Sequence, residues 1–98
     1  MIEKVKIGPF EWQIIEKSEK EFKDYGEAAL DKLTITIREN LLPDVRTVTI
    51  LHELIHAAAS SGGVALKQEE LVADFLASQI YIFVKTNPDF VKKFLNII

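Results

Sequence analysis

The chain contains the sequence His52-Glu53-Leu54-Ile55-His56 within the longer run PDVRTVTILHELIHAAASS, which spans residues 43–61. Apolar residues recur in this run at spacings of three and four, which is typical of an amphipathic helix. Pro43 suits the first helical turn, and Gly62 and Gly63 suit the end of a helix. The pattern therefore predicts a helix over residues 43–61, and the other elements are expected to pack around it.

Both histidines of the chain belong to this predicted helix. Because residues four apart share a helix face, His52 and His56 can bind one metal ion, and zinc is the usual ion for H-E-x-x-H. Glu53 lies to the side of this pair, where a general base can act on a zinc-bound water. Two buried histidines without a metal are the alternative, but Glu53 would then need a buried cation. We therefore predict a zinc site with Glu53 as its catalytic base.

Composition limits the classes of protein that the chain can represent. With 98 residues it is expected to form one domain over residues 1–98. The net charge of −3 and the lack of a basic cluster argue against nucleic acid as a partner. No signal peptide or membrane-spanning segment is evident, so the expected location is cytoplasmic. Cysteine is absent, so histidine and carboxylate side chains must hold any metal. The sequence is also compatible with a homodimer.

The remaining residues predict an α+β fold. Alternating apolar and polar residues indicate a hairpin over residues 2–16, with Trp12 in the core, and a second hairpin formed by residues 25–30 and 33–39. A second helix is predicted over residues 66–85, and a short C-terminal helix begins with Asn87 as its N-cap. We therefore expect a small, mostly antiparallel sheet packed on the helix of residues 43–61.

A zinc site of this kind needs a third protein ligand, which must come from outside the first helix. The turn at residues 62–63 folds the chain back, so a carboxylate near the start of the second helix is expected. Glu69 and Glu70 both lie there, and Glu70 shares a helix face with Asp74. We favour Glu70 as the ligand, with Asp74 accepting the other ring N–H of a histidine, and Glu69 remains the alternative ligand.

At this point the chain resembles a known family. The residues His52–His56 followed by Glu70–Asp74 look like the H-E-x-x-H and E-x-x-x-D pair of gluzincin zinc metallopeptidases, especially the short members called minigluzincins. The region from residue 25 to residue 90 is also similar to small metallopeptidases of the ImmA/IrrE type. The resemblance implies that a three- or four-stranded, mostly antiparallel sheet lies beside the active-site helix. It also implies hydrolysis of peptide bonds by Glu53-assisted attack of a zinc-bound water on a peptide or protein substrate.

The resemblance also implies how the substrate is bound. In such enzymes a sheet edge above the cleft receives the substrate as an added strand, and residues 33–39 are the matching strand. Within it, Thr34, Thr36 and Arg38 are the predicted substrate-binding residues. No later histidine or obvious arginine is present to stabilise an oxyanion, so Tyr81, or alternatively Tyr25, is the candidate.

Three alternatives stay open from the sequence. The enzyme can be a latent, zymogen-like form in which the apolar segment Asn87–Ile98 plugs the cleft, although plain core packing of that segment is the simpler interpretation. The chain can also be a non-catalytic interaction module that zinc stabilises. The last alternative is an α+β domain without a metal.

Overall fold

A computed structural model describes residues 2–96 and shows the predicted α+β fold, a four-stranded mixed sheet together with helices. The strands are β1 (Ile2–Ile7), β2 (Phe10–Lys17), β3 (Gly26–Ala29) and β4 (Thr34–Arg38), and the helices are α1 (Pro43–Ser61), α2 (Glu69–Thr86) and α3 (Pro88–Phe90). The bounds of α1 are those predicted from the sequence. Within residues 2–96, none of the helices combines the length and the apolar character that a bilayer crossing requires.

The strands follow the order β1-β2-β4-β3 across the sheet. β1 and β2 form the predicted antiparallel hairpin, whose turn contains Gly8 at a φ of 59°. β3 and β4 form the second predicted hairpin and are also antiparallel, and a single 3₁₀ turn, Leu30–Lys32, connects them. β2 and β4 pair in parallel, which makes β4 an inner strand and β3 an edge strand. As an edge strand, β3 has backbone N–H and C=O groups without a partner strand on its outer side.

The core lies between the sheet and α1. Trp12 of β2, Ile35 and Ile37 of β4, and Ala57 of α1 have no exposed surface, so the prediction that Trp12 belongs to the core is confirmed. The indole Nε1 of Trp12 donates a hydrogen bond of 2.9 Å to the Ser61 hydroxyl at the end of α1. A buried indole N–H needs such a partner, and this bond fixes α1 against β2.

The second helix differs from the prediction at its start. Residues 66–68 are not helical, because Gln68 has a left-handed conformation with φ of 53°, so α2 begins at Glu69. α2 packs against α1, and its only buried residues are the two alanines Ala73 and Ala77. Small side chains at a helix contact allow the two helices to approach closely, which brings the first turn of α2 to the histidines of α1.

The predicted C-terminal helix begins at Pro88, and Asn87 occupies its N-cap position as predicted, but the Asn87 side chain makes no capping hydrogen bond to it. The Asn87 side-chain amide instead donates to the Phe83 carbonyl at the end of α2. The three residues of α3 are followed by a π-helical turn, Val91–Leu95, in which Val91 is buried. The last two residues of the predicted helix, Ile97 and Ile98, lie outside the described residues.

Candidate metal centre

α1 places both histidine rings on the face that meets α2. The Nε2 atoms of His52 and His56 are 3.1 Å apart, and the ring centroids are separated by 4.7 Å. One helical turn separates the two residues, so their rings converge without any distortion of the helix. The two nitrogens thus point at one place on the surface of α1.

Glu70, in the first turn of α2, closes this cluster from the opposite side. Its Oε1 atom lies 2.8 Å from Nε2 of His52, and its Oε2 atom lies 3.0 Å from Nε2 of His56. One ligand atom from each of the three side chains lies within 4.8 Å of the others, close enough to hold a metal ion. These three residues are the ligands predicted from the sequence, and we refer to them as the triad.

The outer ring nitrogens of both histidines contact carboxylates of α2. Nδ1 of His52 lies 2.8 Å from Oδ1 of Asp74, which is the contact expected for that residue. Nδ1 of His56 lies 2.6 Å from Oε2 of Glu69. Sequence reasoning considered Glu69 only as a ligand and missed this contact. The sequence carried only part of the signal: Glu69 and Asp74 lie on either side of Glu70 on a helix, but the contact of Glu69 with His56 depends on where the first turn of α2 meets α1.

These outer contacts favour one tautomer in each ring. A neutral imidazole has one N–H, and an Nδ1–H that donates to a carboxylate leaves the Nε2 lone pair free. Both lone pairs and the Glu70 carboxylate then face one another as three electron-pair donors, an arrangement that a shared cation stabilises. Donor atoms bound to one zinc ion at about 2.0–2.1 Å lie roughly 3.3 Å apart. The two Nε2 atoms are 3.1 Å apart, and each lies 2.8 or 3.0 Å from a different oxygen of Glu70, so all three separations are somewhat shorter than this spacing.

Burial and neighbouring charges shift the pKa values of His56 and Glu53 in opposite directions. Burial lowers the pKa of the His56 imidazole, but the hydrogen bond to Glu69 and the charge of Glu70 outweigh it and raise that pKa. Burial raises the pKa of the Glu53 carboxyl, and the charges of His52 and His56 partly offset this effect. His56 therefore holds a proton more strongly than a free imidazole, and a bound cation has to displace that proton.

Glu53 lies beside the triad and beneath β3. Its residue surface is only 7% exposed, and its side chain makes no hydrogen bond or ion pair within the part of the chain that the structure describes. A Cβ atom on Gly26 would lie 2.8 Å from Cγ2 of Thr49 and 3.0 Å from Cγ of Glu53. Only glycine therefore lets β3 approach this part of α1 so closely, and that approach covers most of the Glu53 residue.

The strand predicted to bind substrate is not an edge. Thr34, Thr36 and Arg38 belong to β4, whose neighbours are β2 and β3, so its backbone groups are already paired and the prediction was wrong. The edge strand beside α1 is β3. The Arg38 N–H donates to the Tyr25 carbonyl at 2.9 Å, so residue 25 is hydrogen-bonded to β4. In an antiparallel pair, hydrogen-bonded and non-hydrogen-bonded residues alternate along the strand. The N–H and C=O groups of Gly26 and Ala28 therefore point to the open edge.

The two candidate tyrosines occupy different places. The Tyr81 hydroxyl donates to Asp44, and both groups contact the Lys85 ammonium at 3.2 Å. These contacts lower the pKa of Asp44 and raise that of Lys85. Asp44 precedes His52 by eight residues, about 12 Å of helix, so Tyr81 lies away from the triad. Tyr25 instead lines the cleft beside the triad.

Two open clefts of about 540 and 440 Å³ meet at the triad. Both are lined by Gly26, His52, Glu53 and Glu70, so together they form one groove that passes between β3 and α2. None of residues 87–96 lines either cleft, so the described part of the C-terminal segment does not plug the groove.

The chain has no match among protein-family models, characterised proteins or solved structures. The resemblance to gluzincins therefore rests on the sequence of residues His52–His56 and Glu70–Asp74 alone.

Proposed function

We propose that this protein is a zinc-dependent metallopeptidase of the gluzincin type. The observation that carries the proposal is the convergence of His52, His56 and Glu70 beside a buried glutamate, under an open strand edge. The alternative is that these acidic residues only form a solvated helix face. That alternative does not account for two imidazole Nε2 atoms 3.1 Å apart whose Nδ1 atoms each contact a carboxylate. This combination supports a catalytic metal site more than a structural one, because three protein ligands leave a position open to solvent.

The ligands supplied by this chain suit zinc. Two imidazoles and one carboxylate are a ligand set that zinc takes in hydrolytic sites, and the carboxylates of Asp74 and Glu69 fix the ring orientations. When bound there, zinc supplies a Lewis acid that polarises a carbonyl and makes water easier to deprotonate at neutral pH. His52, His56 and Glu70 would hold the ion.

Glu53 is proposed as the general base. Its carboxylate takes the proton of the attacking water and passes it to the amine nitrogen of the leaving group. Burial beneath Gly26 suits this role, because a carboxylate with few water contacts accepts a proton more readily. Its lack of another hydrogen-bond partner within residues 2–96 also leaves the carboxylate free to contact water or substrate.

β3 replaces β4 as the proposed substrate-binding strand. An extended peptide can pair with the outward N–H and C=O groups of Gly26 and Ala28, as in other cases of β-strand addition. A peptide held there lies above Glu53, because Gly26 contacts Glu53 directly. The scissile carbonyl is thereby brought to the triad, and Tyr25, which lines the same cleft, is the nearer of the two candidate oxyanion stabilisers.

A second candidate function is that of a non-catalytic module that the metal stabilises. The observation that favours it is the small interface of α2, which buries only Ala73 and Ala77. A metal that joins Glu70 to the histidines would help to hold α2 against α1, whether or not the site is catalytic.

Metal analysis and one substitution separate these functions. We expect the purified protein to contain one zinc per chain, and we expect Glu53→Gln to retain that zinc while losing hydrolysis of an unfolded protein substrate. Glu11→Gln on the exposed surface of β2 is the matched control and should behave as the unchanged protein. Equal hydrolysis by the unchanged protein and Glu53→Gln would exclude the peptidase. Zinc without hydrolysis in the unchanged protein would favour the second candidate, and absence of bound zinc would exclude both.

A further inference from the structure

The groove has different chemical character on the two sides of the triad. On one side, here called the apolar arm, it is lined by Tyr25, Val45, Val48 and Thr49. On the other side, the acidic arm, it is lined by Asp24, Glu27, Ala28, Ser60 and Glu69. A peptide that crosses the triad therefore has its two halves in surroundings of different polarity, which is a basis for selecting its sequence.

The carboxylates of the two arms also differ in what they contact. Asp44 and Asp74, at the margins of the apolar arm, are paired with Lys85 and His52. In the acidic arm Glu69 contacts His56. The side chains of Asp24 and Glu27 make no ion pair or hydrogen bond within residues 2–96. These two negative charges are therefore available to a positively charged ligand.

A separate observation indicates that the junction of the arms binds a ligand. Glu53 is more than nine-tenths buried, has no hydrogen-bond partner within residues 2–96, and lines both arms. Within residues 2–96 no buried side-chain oxygen lacks a hydrogen-bond partner, so the unpartnered Glu53 carboxylate is open to the groove, where water or a ligand can contact it. The acidic arm is thus continuous with a site that already lacks a partner, and it is not an isolated patch of surface charge.

The open edge of β3 fixes which half of a peptide enters which arm. The apolar arm is lined by the first half of α1, and the acidic arm is lined by the second half of α1. In β3, Gly26 lines both arms and Glu27 and Ala28 line only the acidic arm, which Asp24 reaches from the bend before the strand. Antiparallel pairing is the more stable arrangement per residue, so we take the peptide to run opposite to β3. Its residues before the scissile bond then lie in the acidic arm, and the residues after the bond lie in the apolar arm.

We infer that the groove selects peptides with Lys or Arg on the N-terminal side of the scissile bond. Asp24 and Glu27 are the specificity residues for this basic side chain. This inference rests on the proposed peptidase function. It adds the class of substrate and two residues that take no part in binding the metal or in proton transfer.

The test uses the zinc-loaded full chain and a mixture of peptides of known sequence, with cleavage sites read by mass spectrometry. We expect Lys and Arg to be enriched immediately before the cleaved bonds. A pair of peptides that differ only by Lys or Gln at this position then gives the preference as a ratio of kcat/KM. Because ion pairs in a solvated groove are weak, we expect about a fivefold preference for Lys, and we expect Asp24→Asn combined with Glu27→Gln to abolish it. Glu3→Gln combined with Glu11→Gln removes the same charge from β1 and β2, in the half of the sheet away from β3, and should leave the preference intact.

Binding of the same two peptides to zinc-loaded Glu53→Gln protein is measured independently of hydrolysis. Cleavage without a basic preference, a preference on the C-terminal side, or a preference that survives the loss of both charges would overturn the inference and leave the peptidase proposal standing. Absence of cleavage with selective binding of the Lys peptide would support charge selection by the groove while excluding the peptidase. Absence of both cleavage and selective binding would overturn both.

Discussion

The two long helices supply the candidate site together, but they are held in place very differently. α1 packs against strands of the sheet on one side and against α2 on the other, and its buried positions extend from Thr49 to Ser61. α2 packs against α1 and buries only Ala73 and Ala77, while Phe75 on its outer face is 61% exposed. The histidines and Glu53 therefore belong to the well-packed helix. Glu70 belongs to a helix whose position depends partly on the site itself.

The largest effect in this comparison is expected from removing the contribution of α2 to the triad. Glu70→Ala should reduce bound zinc from one per chain to almost none, because Glu70 contacts both Nε2 atoms. Glu69→Ala removes only an outer hydrogen bond and should weaken zinc binding by about 10- to 100-fold. Metal analysis after dialysis against a graded chelator measures both. A larger loss with Glu69→Ala would assign Glu69 as the ligand.

The next largest effect concerns the packing that holds α1. Trp12→Ala should lower the free energy of unfolding by about 3–5 kcal/mol, because it removes a fully buried ring and leaves Ser61 without its partner. Phe75→Ala, on the outer face of α2, should cost less than about 1 kcal/mol. Denaturant unfolding of the two variants gives the comparison. Equal costs would mean that the outer face of α2 is covered in solution.

A smaller effect is expected at the contact between the helices. Ala77→Leu adds three carbon atoms to a fully buried position and should lower the free energy of unfolding by about 1–3 kcal/mol. Because the added volume moves α2 away from α1, zinc affinity should fall as well. Gln79→Leu, at an exposed position of the same helix, is the matched control. Unchanged zinc affinity in a destabilised Ala77→Leu protein would show that the triad tolerates displacement of α2.

The smallest effect is expected at Tyr81, which sequence reasoning nominated as an oxyanion stabiliser. Tyr81→Phe removes a hydroxyl that contacts Asp44 on the surface. Hydrolysis and zinc content should therefore match the unchanged protein, whereas Tyr25→Phe, in the cleft, should reduce kcat if its hydroxyl contacts the substrate. Steady-state kinetics with one peptide substrate measures both variants. A loss of kcat confined to Tyr81→Phe would restore the original assignment.

The local parts of this structure were predictable from the sequence, and the long-range parts were not. The bounds of α1 follow from Pro43, the apolar spacing and the two glycines, all of which act within a few residues. The inner position of β4 depends on parallel pairing with β2, which brings together segments about twenty residues apart. A hint existed, since Ile35, Thr36 and Ile37 are β-branched on both faces, as in an inner strand, and all three are buried.

The candidate site divides in the same way. The pairing of His52 with His56 is a property of one helix, and Asp74 could be expected once Glu70 was chosen. The role of Glu69 depended on where the first turn of α2 meets the ring of His56. Gln68 has the left-handed backbone conformation that precedes this turn. Because such a conformation is usually found at glycine or asparagine, a glutamine gives no indication of it in the sequence. The close contact of Gly26 with Glu53 likewise joins two segments that no local pattern connects.

The buried indole of Trp12 has a practical consequence. It is the only tryptophan of the chain, it has no exposed surface, and it lies on the sheet at the far end of α1 from the groove opening beside Asp44. Its fluorescence should therefore stay at short wavelength as long as the sheet and α1 remain packed, even when chelation loosens α2. Intrinsic emission and far-ultraviolet circular dichroism recorded together would distinguish detachment of one helix from collapse of the whole molecule.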